Sequence, residues 1–325
     1  MPTRAARREG EAGPEPRPGD ACAGLCPLCA SSSLRLQAFR YAFRGRHLYG
    51  ATCSSCALTF VHPQPAAAEI ESFYRQDYYT ECSAECGAHG PRAYMDLARD
   101  STAEVARRAR QVDRLLLRHQ PARGRFLEVG CGPGFLLRDM ARLGWDVSGL
   151  EISEFAARYA REQLGLRVEV GPLEAPTLPQ HSLEAVFMGD VLEHLPQPLS
   201  ALAAVHAWLS PGGILCVAVP STLNLLSAQL GLALFRVRGR FKTLRIPPYH
   251  LFEYTPRTLA ALLSACGFEV VALRQSAVPP GRMGLRHSPV ENLAKATLQV
   301  GAQISARLCN RWGDRLLAVA VRRAH

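Results

Sequence analysis

Two constellations in the chain carry residue types at spacings that can do chemistry. Cys26 and Cys29 ("CPLC") and Cys53 and Cys56 ("CSSC") form two C-x-x-C knuckles separated by 23 residues. Two residues between cysteines in a tight turn let both sulfurs face one tetrahedral ion, and two such turns complete a four-thiolate shell. The spacing predicts a structural Zn2+, because four thiolates leave no open coordination position. Cys22 is an extra thiol nearby and is not counted as a ligand; Cys82, Cys86 and His89 ("CSAECGAH") are read as loop residues rather than a second metal site.

The other constellation is "EVGCGPG", which sets Glu128, Gly130, Gly132 and Gly134 on a strand-to-helix turn. Gly130 permits a sharp exit from the strand, and Gly132 and Gly134 let backbone N–H groups approach a ligand. Glu151 follows Gly134 by seventeen residues and closes the next strand, placed to accept hydrogen bonds from two ribose hydroxyls. A dinucleotide loop reads G-x-G-x-x-G, whereas the pattern here is E-x-G-x-G-x-G. A carboxylate inside the strand suits a ligand bearing an ammonium or sulfonium. Beyond the loop, His194 ("DVLEHLP") and His250 ("IPPYHLFEY") are the candidate general bases, with Tyr249, Glu253, Tyr78 and Tyr79 behind them.

These residues need elements to hold them. From residue 125 the chain alternates strand, turn and helix. The strands are read at 125–129, 145–151, 166–171, 183–190, 214–220, 269–276 and 315–323. Such alternation implies an α/β fold with a mostly parallel sheet covered on both faces. Ser153 is the expected N-cap of the helix after the second strand, and an amphipathic stretch at 290–310 is the crossover between the last two strands. Residues 1–20 read as a disordered tail, 21–62 as the metal ribbon, 63–120 as a helical linker or cap, and 121–325 as the main domain. The segment 221–250 is an insertion in that domain. Its first part, 221–245, is apolar and then basic. Three readings suit it: a lid on a hydrophobic or anionic acceptor, an element resting on a membrane surface, or a solvated helix.

Charge is unevenly placed. Residues 231–325 hold 15 basic and 4 acidic side chains, whereas residues 1–230 hold 23 basic and 24 acidic. The basic third would attract an anionic small molecule, RNA or an anionic membrane surface. No apolar run reaches the roughly 20 residues of a spanning helix. With no export signal at the N-terminus, the eleven cysteines are expected as reduced thiols or metal ligands in the cytoplasm.

With "EVGCGPG" (128–134), "GLEIS" (149–153), "LPQHSLEAVFMGDVLEHLPQP" (178–198), "LSPGGILCVAVP" (209–220) and "HLFEYTPRTLAALLSACGFEV" (250–270), the sequence resembles the class I S-adenosylmethionine-dependent methyltransferases. The resemblance spans about residues 125–320. It implies a seven-stranded sheet, a Rossmann-like relative, with the last strand antiparallel. It further implies that Glu128 and the three glycines hold the methionine part of S-adenosylmethionine. Glu151 would bind the ribose with Ile152 beside the adenine, Leu173 and Glu174 would lie at the adenine edge, and Met188 to Asp190 would line the methionyl side. A zinc ribbon followed by this domain looks like an arrangement found among sugar and natural-product methyltransferases. The expected activity is methyl transfer to oxygen or carbon of a small molecule: a sugar, a lipid-linked glycan or a secondary metabolite. Two rivals remain at this level: an RNA methyltransferase that uses the ribbon to bind RNA, and a non-catalytic zinc-ribbon binding module.

Overall fold

The computed structural model describes residues 15–72, 95, 102–120, 122–173, 178–245, 248–279 and 289–323. Tyr78, Tyr79, Cys82, Cys86, His89 and Glu174 therefore lie outside the described residues.

The N-terminal unit is a β-sheet. After the short strand β1 (Ala21–Cys22), β2 (Leu34–Phe43) and β3 (Arg46–Cys53) make the hairpin expected between the cysteine knuckles, and β4 (Thr59–His62) extends it antiparallel. Residues 15–20, expected in the tail, run beside this sheet instead. The Gly19 N–H donates to Leu36 O at 2.8 Å, and Leu36 returns a bond to Asp20 O at 2.9 Å. Helix α1 (Ala67–Glu71) follows. Helix α2 (Thr102–Leu116) falls within the segment 63–120 read as a helical linker or cap and is pinned by Asp113. That carboxylate accepts two bonds from Arg123 and one from the Trp145 indole, tying the helix to the start of the main sheet.

The main sheet is built from β5 (Arg125–Val129), β6 (Asp146–Glu151), β7 (Val168–Val170), β8 (Leu183–Gly189), β9 (Leu209–Pro220), β12 (Phe268–Ser276) and β13 (Arg315–Arg322). Its spatial order is β12-β13-β9-β8-β5-β6-β7. The β5–β6, β5–β8, β6–β7 and β8–β9 pairings are parallel, and only β13 runs against its neighbours. The strands β5, β8 and β9 are rich in Val, Leu, Ile and Phe and buried along most of their length, as the middle of a sheet covered on both faces requires. Helices α3 (Phe135–Arg142), α4 (Glu154–Leu164), α5 (Pro198–Trp208), α7 (Pro256–Ala265) and α8 (Pro289–Cys309) make the crossovers. Ser153 caps α4 as expected, accepting from the Ala156 N–H at 3.5 Å, and Thr255 caps α7 in the same way.

The insertion also has a structural role that the three readings do not name. It forms helix α6 (Leu226–Val237), strand β10 (Lys242–Leu244) and strand β11 (Phe252–Glu253). β10 pairs parallel with β2 of the ribbon, and β11 pairs antiparallel with β4. The insertion therefore completes the N-terminal sheet. One hydrophobic core runs through the seam, from Cys26, Leu34 and Phe60 through Phe252 and Tyr254 to Met188 and Val217. The ribbon's apolar face is thus buried against the larger domain, so the metal is not the sole source of its order. None of the described helices is long and apolar enough to cross a membrane.

Candidate active site

The glycine turn sits at the carboxyl end of the central strand β5. Gly130 (φ +66°) and Gly134 (φ +82°) need left-handed backbone, but for different neighbours. A Cβ on Gly130 would meet Val191 at 2.4 Å, and one on Gly134 would meet Leu166 and Ala160 of the next βα unit. Gly134, expected to allow close approach to a ligand, is thus also required by the packing behind the turn. Gly132 is the position that turns its N–H toward an acid, donating to Glu151 Oε2 at 2.7 Å.

Glu151 ends β6 and is buried; its other oxygen accepts from the Ser153 N–H at 2.9 Å. The ribose-binding candidate and the glycine turn thus meet directly. Glu128, one residue before the end of β5, is also buried, and its Oε2 has no hydrogen-bond partner. Burial pushes its carboxyl up to about 8, against the pull of Arg108. A buried orphan carboxylate oxygen beside a glycine cradle is what a cationic amino-acid ligand would satisfy, so the residues present fit S-adenosylmethionine. Ile152 is 41% exposed, free to cover a flat base, whereas Leu173 is buried. Met188, expected to line the methionyl side of the site, has its side chain wholly buried in the core.

Asp190 follows β8 with a left-handed φ of +59°. Its carboxylate pairs with Arg315 and, at 3.5 Å, with Arg108. Burial works to raise this group, but the two guanidiniums outweigh it and hold it below the usual carboxylate range. Arg108 was not singled out from the sequence. One arginine among thirty-six carries no signal until α2 lays it beside Gly189, where an added Cβ would meet it at 2.7 Å.

The two histidines do come together. His194 lies in a 3₁₀ turn (Leu192–His194) after β8, and its ring centroid is 5.0 Å from that of His250. His194 Nδ1 is 2.7 Å from the Tyr249 carbonyl. A carbonyl only accepts, so Nδ1 carries the proton and Nε2 is the basic nitrogen. Burial lowers the His194 pKa despite that bond and Asp190, and burial with His194 nearby pushes His250 down to about 4. Both imidazoles are neutral at neutral pH. Glu193, between them and fully buried, has neither oxygen hydrogen-bonded, and burial pushes its carboxyl well above the usual range. The segment bearing His250 is held on both sides. The Leu251 N–H donates to Glu193 O, and Leu251 O accepts from Val61 of the ribbon, each at 2.8 Å.

The four cysteines converge at the other end of the ribbon. Their sulfurs lie within 4.8 Å of one another, with Cys26–Cys56 at 3.5 Å and Cys29–Cys53 at 3.6 Å. A tetrahedron of Zn–S bonds of about 2.3 Å separates sulfurs by about 3.8 Å, so the set fits zinc. The knuckles share one turn: Ala30 and Ala57, each directly after the second cysteine, adopt φ of +55° and +65° and donate their N–H to Cys26 O and Cys53 O.

Residues 100–273 match a family described as "Methyltransferase domain". The chain belongs to this methyltransferase family. It is 33% identical over 170 residues to a ubiquinone biosynthesis O-methyltransferase of Ruegeria pomeroyi, covering 50% of this chain and 67% of that one. A Bordetella avium protein of the same description is 31% identical, covering 52% and 68%. A structure described as a SAM-dependent methyltransferase from Archaeoglobus fulgidus superposes with a TM-score of 0.47 at 17% identity, covering 68% of this chain and 94% of that chain. The protein is an S-adenosylmethionine-dependent methyltransferase with an N-terminal four-cysteine cluster.

Proposed function

We propose that this methyltransferase methylates a hydroxyl oxygen of a small molecule, with His194 as the base. The observation that carries the reading is the neutral, partly buried imidazole of His194 past the end of β8, its Nδ1 fixed by Tyr249 O and its Nε2 the basic nitrogen, 3.6 Å from Glu193 Oε1. The relatives named as O-methyltransferases support oxygen as the acceptor atom. When bound, S-adenosylmethionine supplies an electrophilic methyl group on a sulfonium that departs as a neutral thioether. Glu128 would hold the amino-acid end of the cofactor and Glu151 its ribose, with Ile152 and Leu173 at the adenine. Arg108, ion-paired to Asp190, would lie close to the cofactor carboxylate.

The chain's own work is then alignment, exclusion of water and one proton transfer. Alignment is worth up to roughly 7–11 kcal/mol, and a positioned base contributes on the order of 10²–10⁴-fold. As the acceptor oxygen attacks the methyl group, its proton passes to His194 Nε2, and the imidazolium is stabilised by Asp190. His250 would stand at the acceptor wall, and zinc held by Cys26, Cys29, Cys53 and Cys56 would stiffen the ribbon behind it. The test is methyl transfer from labelled S-adenosylmethionine to a panel of phenols and sugars. O-methylated product that is lost in His194→Gln supports the reading; transfer to carbon or nitrogen, or full activity in that variant, overturns it.

A further inference from the structure

Two helices carry apolar side chains on the face turned away from the protein. On α6, Leu232 packs inward against Phe39 and Tyr41 of the ribbon, while Leu230, Leu234 and Val237 point outward, Val237 being 87% exposed. The outward positions recur at i, i+4 and i+7, so they form one stripe. On α8, Gln299, Ala302 and Ala306 are buried, and Leu293, Ile304 and Leu308 lie on the opposite face, with Leu293 at 70% and Leu308 at 76% exposure. Water-facing helix surfaces are ordinarily polar, so two outward leucine stripes call for a partner. The helices touch each other, although 51 residues (238–288) separate them in sequence.

Charge identifies the partner. Residues 226–245 contain five basic side chains (Arg236, Arg238, Arg240, Lys242 and Arg245) and no acidic one, and all five are exposed. Residues 292–313 contain three basic side chains and again no acidic one, and Trp312 stands exposed at their end. We infer that α6 and α8 together form a docking surface for an anionic lipid bilayer, with the leucines entering the acyl boundary and the arginines meeting the headgroups. Leucine stripes flanked by arginine, with tryptophan at the interface, are the chemistry of helices that lie in the plane of a membrane. A second copy of the chain suits the surface poorly, because a two-fold contact would set the same cations against themselves. The inference stands apart from the choice of methyl acceptor.

Co-sedimentation with vesicles tests it. The protein is expected to bind phosphatidylcholine vesicles that contain phosphatidylglycerol, and to bind pure phosphatidylcholine at least tenfold more weakly. The double variants Leu230→Glu/Leu234→Glu and Ile304→Glu/Leu308→Glu should each lower binding at least tenfold while leaving S-adenosylhomocysteine affinity unchanged. Absence of vesicle binding overturns the inference, as does equal binding to neutral vesicles. A response confined to the α6 pair overturns the two-helix surface. A wild-type dimer on gel filtration that both variants dissociate, without vesicle binding, replaces the bilayer with a second copy.

Discussion

The proposed cofactor half and the proposed acceptor half of the site are assembled by different means. The cofactor half is local: Glu128, Gly132, Glu151 and Ser153 lie within one βαβ unit, and a single bond from Gly132 to Glu151 closes it. The acceptor half joins three distant segments. The 3₁₀ turn at 192–194 is bonded to Leu251, and Leu251 to Val61 of the ribbon. Local construction gives rigidity that survives changes elsewhere. The stitched half inherits the stability of everything sewn into it.

The predictions probe that contrast. The largest effect is expected at His194. His194→Gln should lower kcat by about 10²–10⁴-fold while calorimetric affinity for S-adenosylhomocysteine stays within threefold; a matching loss of affinity would merge the two halves. Glu151→Ala should weaken the same ligand at least a hundredfold. Because the carboxylate also accepts the Gly132 and Ser153 N–H groups, that variant should lose about 1–3 kcal/mol of stability yet remain folded by circular dichroism. Wild-type affinity in this variant would remove Glu151 from the site.

The third effect is on pH. The free protein holds the Glu128 proton up to about pH 8, and a bound ammonium or sulfonium favours the carboxylate. The complex then carries fewer protons than its separated parts, so affinity should rise with pH between 6 and 8, by up to about tenfold per unit. Glu128→Gln should flatten that slope; an unchanged slope would assign it to another group. The smallest expected effect sharpens the comparison most. Native protein should contain close to one zinc per chain, lost in Cys26→Ser/Cys53→Ser. Metal loss should lower kcat/KM for the acceptor several-fold and move S-adenosylhomocysteine affinity by less than threefold.

The same contrast explains what could be read from residues alone. The Ser153 cap and the cysteine knuckles follow from short-range pattern, because each depends on neighbours a few residues away, whereas the antiparallel last strand was implied by the resemblance to the class I methyltransferases. The segment 221–250 was legible as an insertion but not as the completion of the ribbon sheet. Nothing in "KTL" specifies a partner two hundred residues earlier, and β10 finds β2 only in three dimensions. Arg108 was hidden by composition, one arginine among thirty-six. Gly134 was assigned to ligand approach, and the crowding of its α-carbon by Ala160 and Leu166 was not legible in the sequence.

The pairing of β11 with β4 has a practical consequence. Trimming the chain at residue 62 would strip a neighbour from β11 and uncover Phe252, which stacks on Tyr254 and faces Phe60. Such a fragment would present an open strand edge beside bare aromatic rings, a recipe for precipitation. Any attempt to express the catalytic portion separately must therefore carry the first sixty residues with it.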